Sequence, residues 1–105
     1  MKAIAFATLF AVTAPALAAA GDPEEGLTFA RDVCADCHAV EASPTAMTTE
    51  APRSFIEIAK DAKMTETAIR VFLRTPHDRM PDFLLTGDQT DDLVAYFMEL
   101  KATAR

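Results

Sequence analysis

The sequence predicts a small all-α domain behind an N-terminal targeting segment. Apolar residues recur at helical spacing in four separate stretches. Three of the four, opening at Asp22, Thr65 and Thr86, are read as starting on a helix cap. No stretch alternates in the manner of a strand. The chain has 105 residues and a net charge of −6 at pH 7, a length that fits one domain.

The first twenty residues read as a secretory signal. Met1 and Lys2 form a short positive start, and Ala3 to Val12 are apolar apart from Thr8. Pro15 then precedes small residues, and both Ala16-Leu17-Ala18 and Ala18-Ala19-Ala20 fit the A-x-A cleavage pattern. The alternative is an uncleaved membrane anchor, but the apolar run is short for a span and Pro15 interrupts it. Residues 1–20 are therefore read as signal peptide and 21–105 as the working domain. Removing the signal takes away one basic residue. Nine basic residues then stand against sixteen acidic ones, a net −7. A charge of that sign excludes nucleic-acid binding, which needs a basic footprint. A domain this short buries only about 60% of its unfolded surface, so a covalent or metal staple is expected.

The elements follow in order. Asp22 caps the first helix, Pro23 suits its first position, and Glu24 and Glu25 favour the positive end of the dipole. Leu27, Ala30, Val33 and Cys34 keep the helical period to about Ala35. Ala39 to Pro52 is a loop rich in Pro, Ser and Thr. Ser54 to Lys60 is a short helix with Phe55, Ile58 and Ala59 on one side. Thr65 caps the next, with Met64 and Ile69 placed as a hydrophobic staple, and Pro76 ends it near Arg74 or Thr75. The last helix opens on a capping box, Thr86 with Gln89. It carries the apolar stripe Leu93, Val94, Tyr96, Phe97 and Leu100.

Cys34-Ala35-Asp36-Cys37-His38 matches C-x-x-C-H, the attachment signal of c-type heme. On a helix these three side chains share one face. Both thiols can then reach the vinyl groups of one heme edge, with His38 beneath the iron. Three other readings compete. A thioredoxin-like redox pair needs a βαβ setting. A structural zinc site needs four ligands, and His77 is the only other strong one. A short disulfide leaves His38 without a role. A secretory signal favours heme, because bacterial attachment of this kind occurs outside the cytoplasm. For the second axial ligand Met80 is the choice: it stands in the segment Pro76 to Leu85, and Pro81 biases it towards an extended backbone. His77 is its rival, in what reads as a solvated loop. Met64 is accounted for by the staple, Met98 by its helix, and Met47 by a polar loop.

These motifs, in this order, make the chain resemble a short bacterial class I cytochrome c over essentially all of residues 21–105. Gly26 stands where that family places a small residue so that the first and last helices cross closely. Ala51-Pro52-Arg53-Ser54-Phe55 resembles the segment whose Pro carbonyl accepts a hydrogen bond from the ligating His. Arg79-Met80-Pro81-Asp82-Phe83 resembles the distal Met loop, and Leu93-Val94-Ala95-Tyr96-Phe97 the final helix. The chain departs from the family in having no Trp, which many members use near a heme propionate. Its first-helix aromatic, Phe29, also stands five residues before Cys34 rather than four.

The resemblance implies a small cytochrome c fold: three to five short helices around one covalent heme c, with the terminal helices crossing. It implies thioethers at Cys34 and Cys37, axial ligation of iron by His38 and Met80, and support of His38 by Pro52. Phe55, Ile58, Ile69, Phe72, Leu73 and Leu84 would enclose the ring. The implied function is one-electron transfer in a periplasmic redox chain by a non-enzymatic, monomeric protein whose partners are other redox proteins rather than small-molecule substrates. A dedicated heme subunit of a dehydrogenase or oxidase complex shares every motif. A gas-binding or peroxidase protein needs an open iron position, against which Met80 argues. Arg70, Arg74 and Arg79 flank the ligand loop of this acidic chain and are expected to form a positive docking face.

Overall fold

The computed structural model describes residues 11, 20–42, 52–77 and 79–104. They form four α-helices, and no strand occurs among them: α1 Pro23–Val33, α2 Phe55–Lys60, α3 Glu66–Arg74 and α4 Gly87–Thr103. A 3-10 turn over Cys34–Asp36 follows α1 directly. The sequence predicts an α-helix continuing to about Ala35; instead the chain tightens at Cys34. The predicted signal segment and most of the 39–52 loop, including Met47, lie outside the described residues. No helix among the described residues is long and apolar enough to cross a membrane.

Each helix starts where its cap dictates. The Asp22 carboxylate accepts from the Glu24 N–H, with Pro23 at the first position. Ser54 and Glu57 form a capping box on α2, and Thr86 and Gln89 form another on α4. The Thr65 hydroxyl accepts from the Ala68 N–H. Caps of this kind contribute about 1 kcal/mol each.

The centre of the fold is α4. Leu93 through Phe97 are all buried, as are Thr90 and Leu100. Five consecutive buried residues cover every side of a helix, so α4 must be packed all round. α1 lies against it along one side, and α2 and α3 lie along others. The closest approach is at Gly26. A Cβ there would overlap the Asp92 carbonyl and stand 3.0 Å from the Tyr96 Cβ. Only glycine lets the two backbones come together at this point. Gly21 is held in the same way, at φ +102°, against the backbone of Asp91, and the Asp22 N–H donates to Asp92 Oδ1 at 2.7 Å. Phe29 packs against the core from α1. Leu27 and Met64 do the same, and Ile69 is fully inside.

Phe55 joins α2 to α4. Its ring lies 4.5 Å from that of Phe97 and 6.4 Å from that of Tyr96. Tyr96 also donates its hydroxyl to the Val40 carbonyl at 2.5 Å. That bond fastens the segment just after His38 to the central helix. No buried side-chain polar atom among the described residues lacks a partner.

Candidate functional site

Cys34, Cys37 and His38 lie on one tight turn. The Cys34 carbonyl accepts from both the Cys37 N–H at 3.2 Å and the His38 N–H at 2.9 Å. This doubly used carbonyl brings the three side chains within one turn of chain. Both cysteines are free thiols, Cys34 half-buried and Cys37 exposed, so the short-disulfide reading is not what the structure shows. Burial pushes the Cys34 thiol up to about 11, which keeps it protonated at neutral pH. Among the described residues no group of three or more His, Cys, Asp and Glu lies together.

His38 is half-buried, and two contacts fix its ring. Its Nδ1 lies 2.7 Å from the Arg53 carbonyl, and its ring centroid is 5.5 Å from that of Phe55. A carbonyl can only accept, so Nδ1 carries a proton, and in the neutral ring Nε2 is the nitrogen with the lone pair. An imidazole held this way is prepared to bind a metal through Nε2.

The accepting carbonyl corrects the expectation for Pro52: it belongs to the next residue. The Phe55 N–H donates to the Ala39 carbonyl at 2.9 Å. That bond sets the two segments side by side. In this register the carbonyl facing the residue before Ala39 is that of Arg53. The motif resemblance located the segment, but the register between two distant stretches is a tertiary property.

The Arg53 side chain turns back over α2. Its Nη2 donates to the Glu57 carbonyl at 3.0 Å and its Nη1 to Asp61 Oδ2 at 3.3 Å. Asp61 in turn accepts the Lys63 N–H at 2.9 Å. That bond, more than the guanidinium, holds the Asp61 carboxyl below the usual carboxylate range. Lys101, near the end of α4, donates to the Asp61 and Met64 carbonyls at 3.1 and 2.9 Å. No local pattern in the sequence points to Arg53, Asp61 and Lys101 as a group.

Met80 is half-buried. Its N–H donates to the His77 carbonyl at 3.0 Å, and the two residues form an isolated bridge that folds the loop back on itself. His77 is not the solvated residue its sequence setting suggests. It is half-buried, its Nδ1 donates to the Thr75 carbonyl at 2.9 Å, and its ring stands edge-on to Phe72 at 5.2 Å. In the neutral ring its Nε2 is likewise the nitrogen with the lone pair. The bridge brings Met80 to His77; no hydrogen bond or ring contact among the described residues joins this loop to the Cys34–His38 turn.

Of the side chains expected around a ring, Phe55 and Ile69 belong to the closed core, and Ile58 and Leu73 pack against it. Phe72 and Leu84 are exposed, Leu84 at 93%. Among the described residues the exposed large apolar side chains, Val71, Phe72, Phe83 and Leu84, all belong to α3 and the loop after it. A cavity of about 310 Å³ is lined there by Leu73, Arg74, Asp82, Phe83, Leu84 and Leu85. Cys34, Leu73 and Leu85 pack on the same core cluster, so the thiol turn and this apolar region share one support.

The expected trio of docking arginines is reduced by the structure. Arg70 pairs with Asp91 at 2.6 Å and with Glu66 at 3.2 Å. Arg74 and Arg79 are exposed and have no ion pair among the described residues.

The donor set fits a covalent heme on these observations: two free thiols and an imidazole with an available Nε2 on one turn, and apolar surface on the loop that bears a thioether. Comparison of the chain with protein-family models, with curated proteins and with solved structures returned no match.

Proposed function

We propose that this chain is a one-electron carrier of the class I cytochrome c type, with one heme c attached through Cys34 and Cys37. The single observation that carries the reading is the Cys34–His38 turn: both thiols are free, and the His38 proton is committed to the Arg53 carbonyl, which leaves Nε2 for iron. The Gly26 contact between the first and last helices supports the matching fold.

Bound heme supplies reversible Fe(III)/Fe(II) chemistry, with no bond made to a substrate. The chain's own residues bind and orient. Cys34 and Cys37 would hold the group through thioethers, and His38 Nε2 and the Met80 sulfur would bind its iron. Thioether sulfur is soft and favours the reduced iron, so this ligand pair raises the potential. Phe72, Leu73, Phe83 and Leu84 would offer the ring an apolar wall. The protein works in the periplasm, as its signal sequence suggests, and passes electrons to and from other redox proteins.

Intact-mass analysis of the mature protein, made in cells competent in heme attachment, tests the reading. One heme should survive denaturation and acid extraction. A mass equal to the bare polypeptide would overturn it.

A further inference from the structure

We propose that the Arg53 guanidinium, by bridging the Glu57 carbonyl and the Asp61 carboxylate, is the positioning group that holds its own backbone carbonyl against His38. The proposal rests on the reading of His38 as a ligand, but its geometry stands independently.

Four observations support it. The Nδ1 to Arg53 carbonyl distance, 2.7 Å, is short for a bond to an uncharged acceptor. The carbonyl belongs to a residue just before a helix, where the backbone has no ladder of its own to fix it. On one side the neighbouring backbone is pinned by the Ser54–Glu57 capping box and by the Phe55 N–H on Ala39. On the other, the Arg53 side chain closes a loop around α2, from its own backbone to Glu57 and Asp61. Those two contacts restrain the Arg53 backbone that carries the carbonyl. The Lys101 ammonium anchors the far end, through the Asp61 and Met64 carbonyls, to α4. A continuous path thus runs from the last helix through Asp61 and Arg53 to the His38 ring.

The planar fork of arginine matters here. It spans the Glu57 carbonyl and the Asp61 carboxylate in one fixed geometry, which the compact ammonium of lysine does not reproduce. The ion pair itself adds little to stability, because the Arg53 side chain is 55% exposed. A residue that contributes little to stability but fixes a ligand's partner has a distinctive signature: its loss moves the ligand and leaves the melting point nearly unchanged.

The experiment uses the full mature protein as purified, in its reduced, diamagnetic form. The exchange rate of the His38 Nδ1–H with solvent is read by NMR, alongside the reduction potential and the thermal midpoint. Arg53→Ala should speed that exchange by about fivefold, the weight of one ordinary hydrogen bond. The potential should rise, because a less firmly bonded imidazole donates less charge to the oxidised iron. The thermal midpoint should barely move. Arg53→Lys, which keeps the charge but lacks the planar fork that spans these two acceptors, should show an intermediate exchange rate. It also decides the matter if Arg53→Ala does not fold. Exchange at the wild-type rate in the folded variant overturns the proposal, even with heme attached. Protein that never acquires heme instead sinks the function proposed above, and the exchange rate still decides the role of Arg53.

Discussion

Replacing Gly26 by alanine tests the helix contact on which the fold is built. The added methyl would occupy space taken by the Asp92 carbonyl, with the Tyr96 Cβ 3.0 Å away. The obstacle is helix backbone, which cannot rotate aside as a side chain can. The cost therefore falls at the upper end of overpacking, about 3 kcal/mol. Against it stands the better helix propensity of alanine, worth about 1 kcal/mol. The net is a loss of about 2 kcal/mol, or about 8–16 °C in the midpoint of a domain this size. Gly87→Ala is the internal control. It stands at the first position of α4 with nothing within 4 Å of its added Cβ, so it should be neutral or gain a few tenths of a kcal/mol. Thermal and urea unfolding of both variants give the comparison. The reasoning fails if Gly26→Ala is as stable as Gly87→Ala, for then α1 and α4 do not meet backbone to backbone.

Three further predictions concern the site and its supports. Met80→Ala should abolish the weak red sulfur–iron charge-transfer band of the oxidised protein and lower the potential. His77→Ala should leave the band intact, and the reverse pattern assigns the ligand to His77. Tyr96→Phe removes the hydroxyl that the Val40 carbonyl accepts at 2.5 Å and should cost about 1–2 kcal/mol; unchanged unfolding in urea would show that water replaces this bond at no cost. Arg79→Glu should slow electron transfer to a native partner at low ionic strength without changing the potential, since exposed charge steers association. Transfer by the wild type that quickens as salt rises would show that the net negative charge, and not Arg74 and Arg79, governs the encounter.

The sequence by itself determined what is written in neighbouring residues. Helix starts were legible because a cap acts on backbone groups two or three positions away, as with Asp22, Thr65 and Thr86. The end of α3 at Arg74 was legible because Pro76 excludes the helical conformation before it. The thiol pair and His38 were legible because their spacing spans a single turn. The tertiary structure decided whatever depends on two distant stretches meeting. It gave the His38 proton to Arg53 rather than Pro52, because the register between 38–39 and 53–55 is set by a bond from Phe55 to Ala39. It withdrew Arg70 from the docking face, because Asp91 of α4 lies within 2.6 Å of it. It buried half of His77 against Phe72 in a segment that reads as polar loop. In each case the local chemistry permits several partners, and only the packing of helices around α4 selects one.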